Sequence, residues 1–165
     1  MDWLVVVVQW LHILFGILWF GNALVVAVIL IPSLNPLPVT VQREVGSRYG
    51  ARATRVFDVV VPLVIVLGVV RGTLLGPIKS FDDVLGTAYG VTWLVALVSS
   101  ILTFLWGKIA IEGAVARMNA APLNADGTAS RLLEDETARV KVIVGLELIG
   151  FLVIFTCMIL MRFGR

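Results

Sequence analysis

A single histidine, His12, sits in the stretch QWLHILFGILWFGN, an apolar run flanked by Trp10 and Trp19. In such surroundings an imidazole offers ligation, of a haem iron or of copper. At helical spacing Gln9, His12, Gly16, Trp19 and Ala23 fall on one face. Gly16 stands one turn from His12 and removes bulk beside the ring, the clearance that a flat macrocycle ligated by His12 needs. Met158, with Cys157 and Met161 beside it in sequence, adds soft sulfur donors. Gly68, Gly72 and Gly76 form a G-x3-G-x3-G series that lets a helix or a planar ligand approach closely. Arg71, next to that series, has the bidentate geometry to hold a haem propionate.

Each of these groups also has an ordinary structural explanation. His12 can hydrogen-bond a neighbouring helix, the glycines can serve helix packing, Arg71 can snorkel to water, and Met158 can fill core. Trp3 suits an interfacial belt, for which Trp19 is too deep. Depth brings the groups together. With 1.5 Å of rise per residue, His12 lies roughly 8 Å outward of the first helix's midpoint, and Arg71, Trp93 and Met158 fall at a similar level. A second polar set, Asp58, Lys108, Glu112 and Glu147, belongs to the inner half. Lys108 and Glu112 are i, i+4 neighbours, and Glu147 is expected to face them as part of a structural ion cluster or a proton route. Lys108 and His12 are about 20 Å apart along the membrane normal, so they do not share a metal.

The elements that must position these side chains follow from hydropathy. Of the 165 residues 59% are hydrophobic and only 15% charged, and the mean hydropathy is +1.02. Soluble domains carry roughly 45–50% apolar residues, so this composition belongs to an integral membrane protein. Crossing ~30 Å of hydrocarbon takes about 20 apolar residues in a helix. Four stretches qualify: 3–31, ending at Pro32; 57–75, ending at Gly76-Pro77; 89–111; and 142–161. The expected fold is all-α, a four-transmembrane-helix bundle forming one domain over residues 1–165. Its connections are a long loop (33–56), a short one (76–88) and another long one (112–141). In the last, Ser130 leads a helix start with Glu134, Asp135 and Glu136 in its early turns.

Charge sets the expected orientation. Arg43, Arg48, Arg52, Arg55, Arg117, Arg131, Arg139 and Lys141 fall in the first and third loops, Lys79 alone in the second, and Arg162 and Arg165 in the tail. Both termini are therefore expected outside a bacterial cytoplasmic membrane, with the basic loops inside. Arg48, Arg52 and Arg55 share a helical face that suits anionic headgroups or plain positive-inside flanking. The N-terminus lacks a basic n-region and a cleavage site, so it is expected to remain as the first span. The net charge of +2 and pI near 9.0 express this topology and point away from nucleic acid. One cysteine excludes an internal disulfide and any CxxC motif. Residues for nucleophilic hydrolysis, a P-loop or a zinc ribbon are missing.

His12 followed by Trp19-Phe20-Gly21-Asn22 resembles the first helix of a bacterial membrane superfamily. That group includes HemJ-type protoporphyrinogen oxidases, CopD-type copper resistance proteins and the membrane part of certain urate oxidases. GSRYGARATRVFDVVVPLVIVLGVVRG is similar to its basic entry into a glycine-containing second helix. The resemblance covers the four-helix layout, with specificity confined to the first-helix motif. It implies a helical bundle and, in the HemJ branch, haem b ligated by the first-helix histidine, here His12. That branch also has a lysine shortly after a third-helix tryptophan. This chain reads Trp93-Leu94-Val95-Ala96-Leu97, so the resemblance implies haem binding without implying protoporphyrinogen oxidation.

The leading expectation is a haem b-binding membrane protein with a redox, electron-transfer or oxidase-like role. In it His12 is the axial ligand, Gly16, Trp19 and Trp93 line the site, Arg71 anchors a propionate, and Met158 is the candidate sixth ligand. Two others stay open. One is a copper-handling protein using His12, Met158, Met161 and Cys157. The other is an accessory subunit or homo-oligomer that docks through the Gly68, Gly72, Gly76 face.

Overall fold

A computed structural model describes residues 3–163; Arg165, one of the two tail arginines, lies outside the described residues. Helices dominate, and among the described residues no strand forms beyond an isolated bridge between Leu123 and Ala129. Four long helices, α1 (Trp3–Leu34), α2 (Val39–Gly72), α4 (Ala88–Ala120) and α5 (Arg131–Arg162), are each apolar and long enough to cross a bilayer. A short helix, α3 (Phe81–Gly86), lies between α2 and α4.

The long helices are longer than their apolar cores, which corrects two of the expected loops. Most of 33–56 is the first half of α2, and 112–141 is divided between the ends of α4 and α5. The connections that remain are 35–38, 73–87 and 121–130. Hydropathy marks only what must be dry. The basic and polar ends of these helices continue with satisfied backbone hydrogen bonds. The Ser130 start holds: its hydroxyl accepts from the Leu133 amide, 3.3 Å away.

Two π-helical turns interrupt the long helices, Val26–Leu30 in α1 and Gly107–Ile111 in α4. In the first, the Ile31 amide reaches back five residues to the Val26 carbonyl. Pro32 follows directly; its ring would crowd the carbonyl four residues before it in a regular helix, and the widened turn relieves that contact.

The closest pairings are α1 with α2 and α4 with α5; thinner contacts of α2 with α4 and α1 with α5 close the ring. At mid-height the ring is plugged by Trp19, Ala23, Val60, Val61, Val64, Phe151 and Ile154. Trp19 meets Phe151 edge-on at 4.8 Å, and Phe20 meets Phe155 likewise at 4.7 Å. Outward faces stay apolar: Ile17, Leu102 and Leu152 are all exposed. Such a surface suits hydrocarbon as its solvent and not water.

The terminal end of the bundle carries Trp3 and Phe163, where the described chain begins and ends, and the 73–87 connection; the basic end carries the other two connections. At the basic end Arg43 of α2 donates to the Met118 carbonyl (3.2 Å) and to that of Ala121, capping the end of α4. At the terminal end Lys79 donates to the Thr73 and Leu74 carbonyls (3.1 and 3.2 Å) and so caps α2.

Candidate functional site

The plug divides the interior into two cavities, with Trp19 lining both. The terminal-end cavity has a volume of about 730 Å³ and takes its walls from all four long helices. That volume lies within the ~300–1,000 Å³ typical of ligand and cofactor pockets.

His12 projects from α1 toward α2, where its Nδ1 lies 3.0 Å from the Val64 carbonyl oxygen. A carbonyl only accepts, so Nδ1 carries the proton and Nε2 keeps its lone pair. Among the described residues Nε2 has no hydrogen-bond partner. This is the arrangement found behind metal-ligating histidines, where a fixed Nδ1–H···O=C bond sets the tautomer and the ring's direction.

The glycine series explains how that bond forms. Helical side chains lean toward the N-terminus, so the side chain at 68 would stand over the carbonyl of residue 64. Gly68 leaves it open; a Cβ there would lie 3.1 Å from His12 Cε1. The pattern repeats one turn on. Gly72 opens the Gly68 carbonyl, and Trp93 of α4 donates to it from Nε1 at 3.3 Å. A Cβ at Gly72 would collide with the indole. The face expected as a docking surface is thus filled from inside the molecule by His12 and Trp93. Gly76 does not belong to it. Helix α2 ends at Gly72, and Gly76 packs in the following turn against the Arg71 and Gly72 carbonyls.

Arg71 extends into the same cavity, held by Gln9 Oε1 (2.9 Å from Nε) and the Leu75 carbonyl (3.2 Å from Nη1). Among the described residues no carboxylate pairs with it. Arg162 also lines the wall, and among the described residues no aspartate or glutamate does. Two cationic side chains therefore meet a cavity that no described acid lines. Gly16 keeps its clearance, since a Cβ there would meet nothing within 4 Å. Trp19, buried against Phe151, forms the floor.

All six positions expected to hold a cofactor, His12, Gly16, Trp19, Arg71, Trp93 and Met158, line this one cavity. Met161 joins them, whereas Cys157 is buried outside the wall. Among the described residues no group of three or more His, Cys, Asp or Glu is placed to hold a metal ion. His12 and Met158 are the expected ligands that line the cavity together. Arg162 is the site residue that sequence reading missed, having been counted only as a tail charge. Its spacing four residues after Met158 was the available signal, since it sets both on one face of α5.

The basic-end cavity holds the second polar set. Lys108 Nζ lies 2.9 Å from Asp58 Oδ1 and 2.8 Å from Glu112 Oε1, so the expected i, i+4 pair gains a third member from α2. Glu147 does not join it. Its carboxyl lies over Gly107, where a Cβ would sit 3.6 Å from Oε1, and no cation comes within ion-pair distance among the described residues. Tyr49 donates to the Asn22 side chain in the same cavity, so the asparagine of the first-helix motif serves α1–α2 packing.

No family model, no curated protein and no solved structure matches this chain.

Proposed function

We propose that this chain is an integral membrane protein that binds haem b in its terminal-end cavity, with His12 Nε2 as the axial ligand. One observation carries the reading: Nδ1 is tied to the Val64 carbonyl, which leaves Nε2 bare in a cofactor-sized cavity lined, among the described residues, by two arginines and no acid. Haem b is flat, largely apolar and carries two carboxylates. The apolar wall, the clearance at Gly16 and the two guanidiniums answer those three properties in turn. When bound, the haem supplies one-electron chemistry. The chain's own residues hold the imidazole, pair the propionates and exclude water at the Trp19 floor.

Met158 is the candidate sixth ligand; His plus Met suits electron transfer, and His with an open position suits oxidase-like chemistry. Copper is the weaker reading. A cuprous ion would sit beside two arginines, and Cys157 is outside the wall. Docking through the glycine face is weaker still, because that face is occupied. The resemblance of the first helix to the HemJ and CopD group supports the same ligand. The basic ends of α2, α4 and α5 gather at one end of the bundle, which supports a bacterial cytoplasmic membrane with both termini outside.

The test is the visible absorption of the protein purified in detergent, with hemin added where none co-purifies. A Soret band at one haem per chain is expected. A protein that stays colourless after hemin addition overturns the reading.

A further inference from the structure

The basic-end cavity, about 570 Å³, is not absorbed by that reading. It runs from Asn35 and Asn119, beside the connections, up to the Trp19 floor. Both π-helical turns found among the described residues line it, through Val26 and Leu30 of α1 and through Gly107, Lys108 and Ile111 of α4. π-turns distort two helices at some energetic cost and gather at functional sites. Here the Val26–Leu30 turn is accounted for by Pro32, whereas the Gly107–Ile111 turn has no proline beside it and carries Lys108 on the cavity wall.

The titratable groups around the cavity divide unequally. From α4 come Lys108 and Glu112, from α2 Arg43, Tyr49 and Asp58, and from α5 Lys141 and Glu147; α1 brings none. Lys108 is taken by Asp58 and Glu112 together. Arg43 is committed to the carbonyls at the end of α4, and Tyr49 to Asn22. Lys141, six residues before Glu147 on the same helix, is exposed near the basic end. Glu147 is left five residues inside the apolar part of α5, which begins at Val142, with neither a cation nor a hydrogen-bond donor among the described residues. A carboxylate at that depth without a counter-ion is far more costly than a neutral acid.

We propose that the basic-end cavity is a proton-binding site whose acid is Glu147, loaded from the basic face and closed toward the other cavity by the Trp19–Phe151 plug. The Asp58–Lys108–Glu112 triad is its ionised rim and Glu147 its neutral inner end. The site stands independently of what the terminal-end cavity binds.

Dicyclohexylcarbodiimide tests it on the full chain in phospholipid vesicles. The reagent adds the O–H of a protonated carboxylic acid across its C=N bond, without a leaving group, and rearranges to a stable N-acylurea. Peptide mass spectrometry is expected to find the adduct on Glu147 and not on Asp58 or Glu112. Labelling should slow about tenfold for each pH unit above the acid's titration point, follow the protonated fraction, and be indifferent to sodium. Glu147→Gln should abolish it; mapping the adduct in the unaltered protein gives the answer even where that variant folds poorly. An unlabelled Glu147, a rate that ignores pH, or protection by sodium, which would mark a metal-cation site, each overturns the proposal.

Discussion

Replacing Gly72 by alanine sets a methyl group against the Trp93 indole, which already fills that space. Alanine gains about 1 kcal/mol of helix propensity over glycine, and overpacking costs about 1–3 kcal/mol. The clash wins. Gly72→Ala is expected to lower the melting temperature and shift tryptophan emission as Trp93 leaves the Gly68 carbonyl. At Gly68 the contact is milder, 3.1 Å to an imidazole carbon, so propensity and crowding nearly cancel. Gly68→Ala should melt close to the parent yet bind hemin up to about tenfold more weakly, through loss of the bond that orients His12. Equal hemin affinity in that variant would show that the Val64 bond does not set the ligand. The two arginines should also differ. Arg71 is fixed by two hydrogen bonds inside the cavity, and a charge-assisted bond there is worth about 1.5–3 kcal/mol. Arg162 is exposed at the rim, where pairing is worth about 1 kcal/mol or less. Hemin titrations should therefore find Arg71→Gln the weaker binder of the two single variants.

Helix α3 shows how a short element holds the terminal end. Its capping box is closed by Asp83, whose carboxylate accepts from the Lys79 and Ser80 amides at 2.8 and 2.7 Å. Those bonds, the Lys79 amide first, hold its carboxyl below the usual aspartate range. A group whose pKa is depressed on folding stabilises above its unfolded value, about 3.9, and loses that contribution as pH falls through the folded one. The melting difference between the parent and Asp83→Asn should be full at neutral pH and shrink in acid below that value. A difference that grows in acid would contradict the assignment. The same scale shows what hydropathy conveys. The four apolar cores were legible because nothing else explains twenty-residue runs of Val, Leu and Ile. The polar half of α2, from Val39 to Val56, was not, because a basic stretch with two glycines and no strong apolar period reads as loop. It is helical because Arg43 and Tyr49 lock it to α4 and α1, contacts that exist only once the bundle has formed.

Across the whole molecule two cavities face opposite ends of one plugged bundle, and charge follows the same axis. Cysteines placed singly in 121–130 and near the C-terminus, in a Cys157→Ala background, should react with an impermeant maleimide in intact cells only at the terminal end. Labelling of 121–130 alone would invert the orientation. The convergence of His12, Arg71, Trp93 and Met158 was legible from depth alone, since helical rise places residues along the membrane normal. Which way they turn was not. Rotation about each helix axis is set by packing, and so the sequence left the glycine face open to a docking role, whereas Gly68 and Gly72 face His12 and Trp93 of the same chain. For the same reason Glu147 could be placed at the level of Lys108 but not known to stand apart from it.

Whether His12 Nε2 holds the iron of a haem is decided by the reduced-minus-oxidised absorption spectrum of the purified parent and of His12→Ala. The parent should show a Soret shift and α-band on reduction, and the variant should lose the haem or display an altered, weakly held one. A haem spectrum indifferent to the loss of His12 would contradict the claim.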